Sequence, residues 1–335
     1  MTQEHLKSNP ETGPAGIIVL KRRKGLINMT RTFHRPIKRI VVKLGSSQIA
    51  DSRMRPKTAA LAALAGQIRQ LHKQGVEVVL VSSGAIALGM GELGETVRST
   101  ELAQLQARAA IGQAALMRLY SELFRKFKLK CAQVLLTWDD FNNRTRFLNA
   151  RYTMEAILKK GVVPVINEND TTSTEEIKFG DNDKLSALVA SLLHADLLVI
   201  LSDVEGLYDA NKKVYKEVKE ITAEIEGVAG GTKNAQMAKG GMKAKIDAIK
   251  IATRARISCV ITAGDIKNVL VRLVAGEAIG TYFIEKNENI KNILMIVHSA
   301  GGVCAANIIS KFKSTVVDKV KFLAFVDACQ GNFDE

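Results

Sequence analysis

Four short stretches of this chain set glycine near hydroxyl or charged side chains at the borders of apolar runs. The first, VVKLGSS, closes an apolar run at residues 41–47. An ammonium in an apolar strand is costly to bury without an anionic partner. Gly45 lets a ligand approach the backbone closely, and the amides that follow can face phosphate oxygens. Taken alone, Lys43 reads equally well as a strand-end lysine reaching water along its stem. The second stretch, SSGAIALG at 82–89, places the Ser83 hydroxyl at a helix start, to serve a ligand or as a plain cap. The third, LSDVEGLYD at 201–209, brings Ser202 and Asp203 to a strand end, where an ordinary turn is the alternative. The fourth, AKGGMKAKIDA at 238–248, sets Lys239, Lys243 and Lys245 around the first turn of a helix. Cations there oppose the helix dipole and make sense beside a strongly anionic group. Two better-known phosphate signatures do not apply. GMGELG at 89–94 lies several residues past its strand and lacks the acid a dinucleotide fold needs near residue 110. GxxxxGK[ST] does not occur.

One acidic stretch stands out in a basic chain. Residues 167–183 hold six acids, Glu168, Asp170, Glu175, Glu176, Asp181 and Asp183, together with Asn167, Asn169 and Asn182, in a chain of net charge +14. GVVPVI leads in and KLSALVASLL leads out, so the stretch sits at the mouth of a core.

The elements that must position these groups follow from apolar patterning. RIVVKLG (39–45), EVVLVSSG (77–84), CAQVLLT (131–137), GVVPVIN (161–167), DLLVILSD (196–203) and SCVITAG (258–264) read as buried strands. Between them lie helical segments, among them TAALAALAGQIRQLHKQG (58–75) and the long run 101–127. This alternation predicts an α/β fold with a parallel sheet covered on both faces. Ligands of such sheets bind where strands end and helices begin.

Composition narrows the class. The 335 residues are 47% hydrophobic and 24% charged, which are globular values. Cys131, Cys259, Cys304 and Cys329 form no CxxC pair, so reduced thiols and a cytoplasmic location are expected rather than a disulfide frame or zinc site. Aromatic content is 5% with no basic patch interleaved with aromatics, so no nucleic-acid partner is expected. The uncharged run 293–309 is diluted by Gly, Ser, Asn and His, so no membrane span is expected either. The organisation read from these features is a leader at 1–36 without ordered structure, a domain at 37–284, and a tail at 285–335 of unknown structure.

Taken together, VVKLGSS, VSSGAIALG, RFLNAR (146–151), PVINEND, EIKFGDNDKLSAL (176–188), LSDVEGLYD and GGMKAK follow the order and spacing of the amino acid kinase family. NEND, IKFGDND and RFLNAR resemble its glutamate-phosphorylating branch. The resemblance covers residues 39 to about 284. It implies a three-layer α-β-α sandwich with a mainly parallel sheet. It implies ATP-dependent phosphorylation of the γ-carboxylate of L-glutamate, the first step of proline biosynthesis, with Mg²⁺ whose ligands stay unassigned. Position by position, Lys43 and Lys245 would contact the phosphates and Asp181 would orient them. Ser83, Asn167, Asp170 and Asn182 would bind glutamate, with Asp170 on the α-ammonium. Ser202, Asp203, Lys239, Gly240, Gly241, Met242, Lys243, Ala244 and Lys245 would form the nucleotide site. Proline as a feedback inhibitor, a homo-oligomer and functional coupling to glutamate-5-semialdehyde dehydrogenase are implied as well.

The chemistry is coherent with that resemblance. A side-chain carboxylate with a pKa of about 4.3 is already ionised and needs no general base. The difficulty is an anion approaching a polyanion, and phosphoryl transfer is mainly positioning and electrostatic stabilisation. Ala238 stands where the family usually has glycine, and Lys239 where it has a small or hydroxyl residue. Residues 285–335 do not resemble the RNA-modifying-enzyme-like domain that many members carry. Acetylglutamate or uridylate kinase activity, and a weak relative that binds glutamate or proline as a regulator, are the alternatives.

Overall fold

The computed structural model describes residues 31–172, 182–230 and 241–286, and the backbone of two further strands at 293–298 and 320–326. Eight strands make one sheet: β1 (Arg39–Leu44), β2 (Glu77–Ser82), β3 (Cys131–Leu136), β4 (Val163–Glu168), β5 (Leu197–Ser202), β6 (Glu217–Val218), β7 (Ser258–Ala263) and β8 (Thr281–Phe283). Their order is β3-β4-β2-β1-β5-β7-β8-β6. Every pairing from β3 across to β7 is parallel, and β8 runs antiparallel to β7. The helices are α1 (Ser46–Ile49), α2 (Thr58–Lys73), α3 (Ala85–Glu92), α4 (Leu102–Lys126), α5 (Trp138–Asn142), α6 (Arg144–Lys159), α7 (Asn182–Leu192), α8 (Ala223–Gly230), α9 (Met242–Arg254) and α10 (Val269–Val274).

Strand alternation sorts the side chains into two apolar layers. Ile40, Val42 and Leu44 of β1 pack with α2, α4 and α10 on one face. Val41 packs with α6, α7, α8 and α9 on the other. Lys43 shares the parity of Val41 and therefore emerges towards α7 and α9. Ser202 shares the parity of Leu198 and Ile200 on that same face, whereas Asn167 shares that of Val163 and Val165 and faces α4. The parity of three short strands thus decides which cover each polar strand end meets.

Helix α2 shows how local sequence serves this plan. Leu61, Leu64, Ala65, Ile68 and Leu71 recur every three or four residues and are all buried. Gly75, at φ 78°, ends the turn in the left-handed region. Gly89 of GMGELG has a packing task, which it shares with Gly112 of α4. A Cβ at Gly89 would lie 1.9 Å from the Arg108 carbonyl oxygen, and one at Gly112 would lie 1.7 Å from that of Ala85. Helices α3 and α4 therefore touch backbone to backbone.

Three residues of the segment just before residue 37 make contacts with the sheet domain. The Arg31 guanidinium sits 4.5 Å above the Tyr282 ring, Phe33 meets that ring edge-on at 5.8 Å, and Arg35 pairs with Asp196 at 3.2 Å. Residues 1–30 lie outside the described residues. In the tail, β9 (Ile293–His298) and β10 (Val320–Val326) pair in parallel as a separate two-stranded sheet, so the apolar run 293–309 begins as a strand. Among the described residues no helix is long and apolar enough to cross a membrane.

Candidate functional site

The carboxyl ends of β1, β2, β4 and β5 converge, as a parallel sheet requires. Lys43, Asp183 and Lys245 meet on the α7–α9 side. Lys43 Nζ lies 2.6 Å from Asp183 Oδ1, and Lys245 Nζ lies 3.4 Å from Asp183 Oδ2. All three are buried, at 6%, 0% and 7% exposure. Burial pushes the Lys245 ammonium below the usual lysine range; Asp183 opposes that shift and Lys43 adds to it. Breaking such a buried pair by removing one partner costs about 3–5 kcal/mol, so each charge depends on the others.

Asp183 was given no role by sequence reasoning. Asp181, expected to orient the lysines, lies outside the described residues; the carboxylate found between them is Asp183, two positions on, in the first turn of α7. Its signal in the sequence is its place beside Asn182 at a helix start, where an acid also suits the helix dipole.

Beside this charged cluster lies a cleft of about 510 Å³, lined by Ser47, Ser83, Arg98, Asn167, Asp170 and Asn182 among others. Its inner wall is a chain of amides. Asn182 Nδ2 donates to Asn167 Oδ1 at 2.9 Å, to Ser83 Oγ at 2.9 Å and to the Ser82 carbonyl at 3.3 Å. Asn167 Nδ2 in turn donates to Gln113 Oε1 on α4 at 2.9 Å. Tyr120, also on α4, is 2.9 Å from Ser82 Oγ, which donates to the Ser83 carbonyl. Two acceptors of this wall, Asn182 Oδ1 and Glu168 Oε1, are buried without a hydrogen-bond partner. Leaving such groups unmet is costly, and both suit a cationic ligand group.

Ser83 does not cap α3. Gly84, at φ 101°, takes that place without a side-chain bond, and a Cβ there would strike Ile49 at 2.8 Å. The hydroxyl is thereby released to Asn182. Burial pushes the Asp170 carboxyl up to about 6, and the nearby Arg98 guanidinium restrains that shift. Arg98 itself had no sequence signal: it lies in the loop between α3 and α4.

The nucleotide segments are less uniform. Ser202 is buried and donates to Asp203 Oδ1 at 3.0 Å, while Asp203 is exposed and acts electrostatically on Lys245. Gly241 starts α9 without a side-chain cap, which leaves first-turn amides to face an anion. Met242 packs against the second apolar layer, Ala244 is half-buried and Lys243 is exposed. Lys239 and Gly240 lie outside the described residues.

Comparison with known proteins agrees in kind. Residues 38–263 match the amino acid kinase family. The chain is 47% identical to glutamate 5-kinase of Nitrosomonas eutropha over 259 residues, covering 76% of this chain and 69% of that protein. It is 48% identical to glutamate 5-kinase of Carboxydothermus hydrogenoformans, covering 77% and 71%. Glutamate 5-kinase of Methanosarcina mazei matches at 40% identity over 90% of this chain and 82% of its own length. In fold, the chain is similar to carbamate kinase from Giardia lamblia bound to AMP-PNP, with TM-score 0.53, 16% identity, and coverage of 74% of this chain and 99% of that one.

Proposed function

The chain belongs to the amino acid kinase family, and from that premise we infer that it transfers the γ-phosphoryl group of ATP to the γ-carboxylate of L-glutamate, giving γ-glutamyl 5-phosphate. The observation that carries this reading is the junction at the start of α7. Asn182 belongs to the amide wall of the cleft, and its neighbour Asp183 belongs to the buried lysine cluster. Two adjacent residues therefore join a site for a small polar ligand to a site for phosphate.

The residues fit a nucleoside triphosphate with its metal. Lys43 and Lys245 supply two ammonium groups aimed from opposite elements at one carboxylate. The uncapped first turn of α9 adds backbone amides. Mg²⁺ binds mainly through phosphates and its own waters in such sites, and it supplies further positive charge to the transferred group.

Each residue then has a task in the reaction. Asp170, when ionised, and Asn182 Oδ1 hold the α-ammonium of glutamate. Arg98 faces the same cleft and suits the α-carboxylate, which an arginine binds through two parallel hydrogen bonds. Ser83 steadies Asn182. With the amino acid held by its α-carbon end, its γ-carboxylate points past Asn182 towards Asp183 and the lysines. That carboxylate is ionised near neutral pH, so no base is required. Asp183 fixes the two ammonium groups, and Lys43 and Lys245 stabilise charge on the transferring phosphoryl group. Glu168 lines the same cleft and adds negative potential near the ammonium.

The reading extends to proline as a feedback inhibitor, a homo-oligomer, a cytoplasmic location, a domain at 37–284 with the residues just before it packed on its surface, and coupling to glutamate-5-semialdehyde dehydrogenase. An acyl phosphate is a reactive product, which suits prompt consumption by a reductive step. Purified protein with ATP, Mg²⁺, glutamate and hydroxylamine should yield γ-glutamyl hydroxamate. Parallel reactions with N-acetylglutamate and UMP should yield no phosphorylated product. Binding of glutamate without turnover on any substrate would instead mark a regulatory relative.

A further inference from the structure

We propose that Gln113 of α4 is a positioning residue for the substrate: it sets the orientation in which Asn182 presents its carboxamide to the cleft. The proposal rests on the reading of that cleft as the glutamate site. Gln113 lies 54 residues before Asn167 in sequence, and its Oε1 accepts from Asn167 Nδ2 at 2.9 Å. A carboxamide has one donor end and one acceptor end, so a bond at one end dictates what the other end offers. Because Gln113 presents an acceptor, Asn167 turns its amino group to α4 and its Oδ1 to Asn182. Asn182 answers with its amino group at 2.9 Å and so directs Oδ1 the other way.

The far end of the chain enforces the same polarity. The Ser82 carbonyl can only accept, and it takes Asn182 Nδ2 at 3.3 Å. Gln113 and Ser82 thus hold the two amides between them in one sense. If residue 113 presented a donor, Asn167 would turn its amino group onto that of Asn182, and two donors would meet. Two buried atoms without partners mark the outcome. Asn182 Oδ1 is left as a buried acceptor that no protein group meets, in a residue that lines the cleft, and Gln113 Nε2 is left unmatched on the α4 side. The glutamine keeps its orientation although its own amino group gains no bond from it.

Helix α4 holds Gln113 in register. Gly112, the preceding residue, is the point where α4 touches the Ala85 carbonyl of α3. Tyr120, two turns further on, is hydrogen-bonded to Ser82 at the same end of β2. Gln113 touches no substrate in this scheme; it acts through Asn167 and Asn182.

The test compares Gln113→Met, which keeps the shape and removes the acceptor, with Gln113→Glu, which keeps the acceptor. Gln113→Met should raise KM for glutamate about tenfold, the scale of one lost polar contact. Its kcat and its KM for ATP should stay within about twofold of the parent, because the lysine cluster is untouched. Gln113→Glu should remain within about threefold of the parent in all three constants. Competitive inhibition by glutarate, which lacks the α-ammonium, should be the same in Gln113→Met and the parent protein. Equal behaviour of the two variants would overturn the proposal, as would a parallel loss of glutarate affinity or a rise in KM for ATP. If Gln113→Met does not fold, Gln113→Glu against Asn167→Asp decides: the carboxylate should be tolerated at 113 and not at 167, where a donor is needed. A parent protein that forms no hydroxamate from glutamate would overturn the functional reading itself. An active parent with an unaffected Gln113→Met variant would overturn only this inference.

Discussion

Around Asp183 the site is made of full charges, Lys43 and Lys245 closing on a single carboxylate. Around Asn182, one residue earlier, its inner wall is made of neutral amides and hydroxyls, with Asp170 and Arg98 lining the cleft beside it. The two regions place different demands on the fold. Coulomb attraction falls slowly with distance and has no preferred angle, so the charged half needs its three groups present and buried more than it needs fine alignment. Hydrogen bonds weaken steeply with angle, so the amide half needs each carboxamide turned the right way. The fold meets the two demands with different elements. The charges sit on β1, α7 and α9 on one face of the sheet. The amide wall is braced from the opposite face by α4.

Perturbations that should act on one half alone can sharpen or break that contrast. The largest effect is expected from Lys245→Ala, with kcat reduced by about 10³-fold or more, the scale of losing a charge-stabilising group. Glutamate affinity by calorimetry should remain near the parent value; a matching loss of glutamate binding would mean that the halves are not separable. Asp183→Asn should lower kcat by about 10²-fold and unfolding stability by about 3–5 kcal/mol, because two buried ammonium groups lose their shared partner. Denaturant unfolding checks the second figure, and an unchanged midpoint would contradict the role of Asp183 as their anchor. The smallest effect concerns pH and belongs to the amide half. Asp170 titrates at about 6, is ionised above that pH and neutral below it, and only the ionised form attracts an ammonium. The free-enzyme constant kcat/KM for glutamate should therefore fall as pH drops through about 6, by up to about tenfold per unit. KM for ATP should not follow this limb, and Asp170→Asn should abolish it.

The contrast also explains how much could be seen without coordinates. Lys43 and Ser202 were legible as polar residues at the ends of apolar runs, while the face each one meets follows from strand parity in the folded sheet. Lys245 was legible as a cation where a helix start disfavours one. Asp183 was not separable from Asp181 by sequence, because successive residues entering a helix diverge by about 100° and no pattern gives the starting phase. Gln113 was hidden for another reason. It sits within a 25-residue helix whose alanines and leucines explain themselves as packing, and its partner lies 54 residues away on another element. Arg98 lies in a loop, where periodicity carries no information at all.

The contact between Gly89 and Arg108, and that between Gly112 and Ala85, have a consequence for mutational tolerance. A saturation scan scored by growth that depends on this reaction would mark positions 89 and 112 as intolerant as position 43. A reader of such a map would number them among the chemical residues. They are spacers: a single methyl group at either one drives α3 and α4 apart and carries the wall of the cleft with them. Raising the glutamate concentration should restore fitness at 89 and 112 and leave position 43 dead.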